Sequence, residues 1–249
     1  MAQSEWGVIE VKEDFTGFDA DKTWAAGGFN VGQVFICSVN EGSIENTVDE
    51  PGGIVAFTTD TGDDDNVVVY AGPLKAADGP IVVESRFKFD SATLGSVFCG
   101  FTETLSIATP VMPAEFATAT MTYNGTGAMV GMQFDTDGTT DDFRAVFGDA
   151  GAALTGNGAD ANGTRANATI TADRWYIVRV EVDPSGAARC YFGDIATNSQ
   201  MKLIKSISAG IDTSVVLFPV LMFENRSAAA RVLEVDYFRA RGSRDWSVD

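Results

Sequence analysis

The sequence predicts an all-β protein, two antiparallel sheets stacked as a sandwich with almost no helix. The first observation behind this is the segment 174–192, RWYIVRVEVDPSGAARCYF. Tyr176, Val178, Val180 and Val182 form an apolar row, and Trp175, Ile177, Arg179 and Glu181 form a largely polar one. A period of two with one apolar face marks a strand packed on one side only. Asp183-Pro184-Ser185-Gly186 then reverses the chain, because proline pre-sets the turn backbone and glycine takes the conformation other residues avoid. The second observation is repetition: about a dozen short apolar or alternating segments recur along the chain, separated by turn residues. The third is that helical periodicity is nearly absent, while 26 glycines suit many turns.

Taken in order, residues 1–13 read as an N-terminal arm or a first edge strand around Trp6, Val8, Ile9 and Val11. Residues 14–249 read as a single domain, a size common for one sandwich. Segments 33–39, 54–58 and 67–70 have the spacing of consecutive antiparallel strands, with the acidic turn 59–66 between the last two. In 81–90, Val83, Ser85, Phe87 and Phe89 share one face, while Glu84, Arg86 and Lys88 share the other. Segment 96–102 is nearly continuous in apolar residues, and its Gly100 marks a bulge or a close backbone approach. Pro110 and Pro113 make 105–116 an excursion over the surface, with a short helix expected after Pro113. Three more strands follow at 118–123, 128–135 and 142–147, and Asn124-Gly125 and Asp137-Gly138 are hairpin signals between them. Residues 148–168 form a Gly/Ala/Asn-rich loop without periodicity. After the hairpin come strands at 202–207, 215–225 and 232–240. Pro219 inside the long apolar run 215–225 points to an edge position or a kink. In the last strand, Leu233, Val235 and Tyr237 are expected on one face, and Val232, Glu234, Asp236 and Phe238 on the other.

The chain carries 17 Lys and Arg against 35 Asp and Glu, a formal charge of −18, and no histidine. Such a surface repels nucleic acid and anionic membrane. Lack of histidine removes the commonest general base and the usual ligand of catalytic zinc. Cys37, Cys99 and Cys190 are odd in number, far apart and set among apolar residues, so buried free thiols are expected and no metal spacing is present. The N-terminus has neither a basic region nor an apolar core of the signal-peptide kind, and no run approaches membrane-spanning length. A soluble protein made in a reducing cytoplasm is the expectation, with no cofactor.

The acidic run Asp135-x-Asp137-Gly138-x-x-Asp141-Asp142 has oxygen ligands and a glycine turn, as calcium sites do. It lacks the spaced glutamate that completes an EF-hand loop, so a solvated hairpin tip is the expected reading. Asp60 with Asp63, Asp64 and Asp65 reads the same way.

The order of segments resembles the concanavalin A-like (laminin G-like) jelly-roll sandwich: IVVESRFKFD, SVFCGFTET, the hairpin RWYIVRVEVDPSGAARCYF, LFPVLMFEN and LEVDYFRA stand in that family's sequence. More narrowly, the run from Gly53 to Ala240 is similar to virion proteins of tailed bacteriophages in AFTTDTGDDDNVVVY, GMQFDTDGTTDDFRAVF and VDYFRA. This resemblance implies a non-enzymatic capsid decoration (cement) protein that stabilises the outer surface of the head. Its implied partners are the major capsid protein and further copies of itself as a dimer or trimer, and its location the virion surface after synthesis in the host cytoplasm. Trp6, Val8, Ile9 and Trp246 are the expected partner-binding residues. The alternative is a carbohydrate-binding, lectin-like module for glycan attachment, with Trp24, Trp175, Tyr123 and Asn124 as candidates. Some enzymes on this fold are glucanases, but their run of alternating acids is incomplete here. Glu234 and Asp236 lack a third acid, and Glu181-Val182-Asp183 runs into a turn, so no catalysis is expected.

Overall fold

The computed structural model describes residues 7–15, 22–24, 27–38, 42–47, 53–125, 127–154, 162–195 and 200–243; side chains of 22–24, 27–29, 31, 37, 38 and 46 are not described. The first strands are β1 (Val8–Glu13), β2 (Lys22–Trp24), β3 (Gly27–Val31), β4 (Val34–Ser38), β5 (Gly42–Asn46), β6 (Val55–Thr58) and β7 (Asn66–Tyr70). Then come β8 (Ile81–Phe89), β9 (Gly95–Thr102), β10 (Ala114–Ala117), β11 (Thr120–Tyr123), β12 (Met129–Asp135), β13 (Arg144–Asp149), β14 (Ala152–Ala153) and β15 (Thr164–Arg165). The last five are β16 (Tyr176–Val182), β17 (Ala188–Asp194), β18 (Lys202–Ile207), β19 (Phe218–Asn225) and β20 (Val232–Ser243).

One sheet has the order β18-β17-β16-β8-β20-β6-β5-β2, with β1 also on β20; the other runs β14-β13-β12-β9-β19-β7-β4-β3, with β15 also on β13. Strands that follow each other in the chain often lie in opposite sheets. The expectation of consecutive pairing over 33–70 is thereby corrected: β4 pairs with β7, while β6 pairs with β5 and β20. The first segment pairs antiparallel with the last, from Val8 opposite Ser243 to Glu13 opposite Phe238.

The two sheets differ because their sequences differ. In the first, β8 and β16 alternate strictly, and Tyr176, Val178, Val180, Val182, Val83, Phe87 and Phe89 point into the core. Its outer face stays open. Lys12, Arg86, Lys88, Arg179, Arg189, Arg239 and Arg241 lie there with Glu10, Glu45, Glu84, Glu181, Glu234 and Asp236, as the alternation requires. In the second sheet β7, β9 and β12 are buried throughout, as is all of β19 but its first residue. A strand reads as one continuous apolar run when both its faces are covered. The inner cover is the first sheet. The outer cover is the excursion at 105–123. Met112, Ala114, Phe116, Met121 and Tyr123 form a second apolar cluster with Val68, Phe98, Met129, Val220 and Met222.

That excursion corrects two expectations. The segment after Pro113 is not a helix but β10, paired with β11 in a hairpin. Burial alternates along it, with Ala114 and Phe116 inward, so the apolar pattern overrides the helix preference of alanine and glutamate. Asn124-Gly125 does not close a hairpin either, since β11 pairs with β10 and β12 pairs with β9 and β13. The β12–β13 hairpin does form, across a connection longer than its Asp137-Gly138 pair alone. Within 148–168, short β14 and β15 add to β13, a departure from the expected plain loop.

Pro219 is neither at an edge nor at a kink. β19 lies between β9 and β7, and Pro219 occupies the rung where β7 has ended, its carbonyl accepting from the Ala71 N–H at 3.1 Å. A proline fits there because no ladder bond needs its missing N–H. In β20 a bulge between Val235 and Tyr237 resets the alternation. Phe238 therefore enters the core and Tyr237 turns outward to donate to Glu84 at 2.8 Å, the reverse of the expected faces.

Gly100 is a close approach, as expected. It lies directly opposite Gly131, and the Phe98 ring crosses the bare pair. A Cβ on Gly131 would stand 2.5 Å from two ring carbons of Phe98. Gly131→Ala is therefore expected to cost about 1–3 kcal/mol by overpacking, read as a lower urea midpoint at unchanged slope. Cys99 and Cys190 are buried free thiols, and burial pushes Cys190 up to about 12. The side chain of Cys37 lies outside the described residues.

Candidate binding cleft and an arginine hub

Two features stand out at the ends and edges of the sandwich. The first is a cleft of about 390 Å³ beside β17 and β18, lined by residues 166–169, Arg174, Phe192, Asp194, Lys202 and Ile204. Residues 166–169 form a strap over it, and Asp142 holds the strap. This buried carboxylate accepts from the Asn167 N–H at 2.8 Å, the Ala168 N–H at 3.2 Å and Arg165 Nε at 3.1 Å. The strap's far end is fixed by Tyr176, whose hydroxyl accepts from the Thr171 N–H at 2.7 Å and donates to the Thr171 carbonyl at 3.1 Å. Burial raises that phenol's pKa. Phe192 and Ile204 give the cleft an apolar floor, and Ala166 and Ala168 add apolar surface from the strap. Arg174 pairs with Asp194 at 3.1 Å on its rim, next to exposed Lys202.

Asp142→Ala would strip two strap amides and Arg165 of their acceptor. Each orphaned group costs about 1–3 kcal/mol when it stays buried. We expect residues 165–168 to exchange amide hydrogens at least tenfold faster, with a smaller change in the core strands.

The second feature is Arg226, nearly buried in the turn after β19. Its guanidinium meets Asp64 at 2.6 Å, Glu224 at 2.8 Å, Asp135 at 2.9 Å, Glu115 at 3.2 Å and Asp137 at 4.0 Å. Both acidic runs singled out in the sequence thus send members to one cation. The expectation of a solvated tip at 135–142 is corrected for Asp135 and Asp142, which are buried and bonded. Five guanidinium N–H donors in a fixed fork suit this many carboxylates. Among the described residues no group of three or more His, Cys, Asp and Glu side chains is arranged to hold a metal ion.

Burial pushes the Glu224 carboxyl up to about 8 against the pull of Arg226, and Glu115 and Asp64 add to the rise. A carboxyl whose folded pKa is raised holds its proton more tightly in the folded state. Its contribution to stability is full below the ordinary glutamate range and is lost as pH rises toward 8. We expect stability to fall from about pH 5 to pH 8, and Glu224→Gln, the neutral mimic, to flatten that slope in urea titrations at each pH.

The sequence candidates are dispersed. Trp6 and Trp246 lie outside the described residues, as does the side chain of Trp24. Ile9 packs toward the core and, with Val11, Leu74 and Ala240, lines an apolar niche of about 230 Å³; Val8 points to the opposite face. Tyr123 is buried in the outer cluster, and Asn124 bonds Glu115 at 2.6 Å. Trp175 is half-buried under Arg86, 4.3 Å from its ring centre, so it is not an open platform. The acids weighed for catalysis are engaged: Glu234 with Lys88 at 2.9 Å, Asp236 with Arg86 at 2.6 Å, Glu181 with Arg179 at 2.7 Å. Asp183 caps its own turn, and the Ser185 hydroxyl lowers its pKa.

Sequence reasoning missed the cleft and the hub. The cleft's polar residues come from an aperiodic loop and three strand ends, and Arg226 sits in a plain turn.

No protein-family description matches the sequence, and no curated protein is similar to it. Solved structures are similar in shape. A protein of unknown function from Shewanella oneidensis MR-1 aligns at 11% identity over 98% of this chain and 90% of its own, with a TM-score of 0.55. The Emp47p carbohydrate recognition domain aligns at 10% identity over 98% and 100%, TM-score 0.55. The seed lectin of Lotus tetragonolobus aligns at 10% identity over 91% and 100%, TM-score 0.56. At such identities the likeness is one of fold, and with the two stacked sheets it makes the chain a concanavalin A-like jelly-roll β-sandwich.

Proposed function

We propose that this chain is a non-catalytic recognition module that takes a saccharide into the cleft beneath the 166–169 strap. The observation that carries the reading is the cleft itself. A volume of about 390 Å³ joins an apolar floor to a rim of Asn167, Thr169, Arg174, Asp194 and Lys202. Small-ligand sites are built that way, with apolar lining and a few fixed polar groups. A sugar ring has the matching character, with C–H faces for the floor and hydroxyls for the rim. The fold shared with a carbohydrate recognition domain and a seed lectin adds support by analogy. The engagement of Glu234, Asp236 and Glu181 in ion pairs supports the non-catalytic half of the reading.

The test is a glycan array at high protein concentration, followed by calorimetry on any hit. Binding should weaken at least tenfold in Lys202→Ala and Thr169→Val, which leave the core untouched. An array without hits, or a hit indifferent to both changes, removes the cleft from the reading.

A second reading, a capsid decoration protein on a phage head, is favoured by one geometric point. Val8 and Ser243 are partners across one rung, so the outer ends of β1 and β20 meet at one corner of the sheet, beside the apolar niche lined by Ile9. An apolar niche at one corner suits docking onto a major capsid protein, with Ile9 and Val8 as contacts on its two faces. Deleting residues 1–7 should then abolish copurification with intact heads; unchanged occupancy would remove the arm from this reading.

A further inference from the structure

We propose that the outer face of the sheet containing β8, β16, β17 and β20 is the surface on which a second copy of this chain docks, face to face about a two-fold axis. The observation is a separation of charge. The described side chains on that face include seven cations and six carboxylates, while the chain as a whole has 17 and 35. The other described side chains comprise eight cations against 20 acids, a balance of −12, while this face carries +1. Through the rest of the described surface two copies carry like net charge and repel. Here they do not, and apposing these faces turns the acidic remainder outward.

The pattern is also self-complementary. Cations and carboxylates alternate across neighbouring strands: Arg86 with Asp236 at 2.6 Å, Lys88 with Glu234 at 2.9 Å, Arg179 with Glu84 at 3.3 Å. A two-fold rotation lays such a lattice on itself so that arginine meets carboxylate, the condition an isologous interface demands. Trp175, Tyr191 and Tyr237 punctuate the lattice, and Leu203 is half exposed where β18 adjoins Tyr191. Arginine with tyrosine and tryptophan is the composition of interface centres. Area suffices as well. Six strands at about 4.8 Å spacing and about 23 Å in length give roughly 670 Å² in projection, near the ~800 Å² per partner of a standard interface. The opposite side of the sandwich offers no equal, because the β10–β11 hairpin already covers it.

Sedimentation velocity on the full chain from about 5 to 500 µM tests this. The expected result is a reversible monomer–dimer equilibrium about the 26.4 kDa monomer. Leu203→Glu and Arg189→Glu, both exposed positions outside the core, should each weaken the dimer at least tenfold. Val111→Glu, exposed on the covered side, should leave it unchanged. A monomer at every concentration overturns the proposal. So does a dimer or larger assembly that ignores the Leu203 and Arg189 changes, or one that Val111→Glu dissolves.

Discussion

Arg226→Met is expected to be the most damaging single change outside the core, costing about 3–5 kcal/mol, the range seen when one partner of a buried ion pair is removed. The reason is what stays behind. Asp135 and Glu224 are almost fully enclosed, and both face the guanidinium at under 3 Å. Methionine fills the space but gives neither charge nor donors. Asp135 keeps the N–H groups of Phe116 at 2.7 Å and Asp137 at 3.0 Å, so it stays in place as an uncompensated charge. Glu224, raised to about 8, already holds its proton at neutral pH, which limits its share. The loss spreads, because the five carboxylates come from the 59–66 turn, β10, the end of β12 with the turn after it, and β19. A melting temperature lower by about 10 °C follows for a chain of this size. Adding Asp135→Asn to Arg226→Met should recover part of the loss; strict additivity of the two costs would show that they do not share one network.

Phe143→Ala is expected to cost a similar 3–5 kcal/mol, for a different reason. Phe143 is fully buried and its ring lies 4.9 Å from Phe192, 5.4 Å from Phe134, 6.0 Å from Tyr176 and 6.1 Å from Phe87, centre to centre. These rings come from both sheets, so the side chain joins the two layers rather than filling one. Truncation opens a cavity that four rigid rings cannot collapse into, and it removes their edge and offset contacts. Phe192 also floors the candidate cleft. Chemical unfolding should therefore show a lower midpoint, and any saccharide affinity should fall with it, whereas Phe143→Leu should keep most of both.

Which parts of this structure were readable in the chain follows from where the physics is local. Strict alternation made β8 and β16 legible, down to the faces of Arg86 and Val180, because one side of each meets water. The continuous runs in β7, β9 and β19 showed burial but not its second cause. The cover comes from a hairpin whose own segment, AEFA, carries too little pattern to declare itself a strand. The bulge in β20 has no compositional mark, so Tyr237 and Phe238 were assigned to each other's faces. Pro219 pointed to an edge when it needed only a rung that asks nothing of its missing N–H. The cleft and the hub were beyond reach for one reason: they are made of pairings across the chain. Asp142 serves a strap more than 20 residues away, and Arg226 meets Asp64 across 162 positions. Only the surplus of acids in two turns hinted that some cation would be drawn to them.

The rung shared by Val8 and Ser243 sets the first described strand against the last. Paired residues in an antiparallel ladder sit about 5 Å apart. A linker of a few residues would therefore suffice to weld first strand to last. New ends cut at an exposed bend, such as that at Thr93, would then yield a circular permutant with the same two layers.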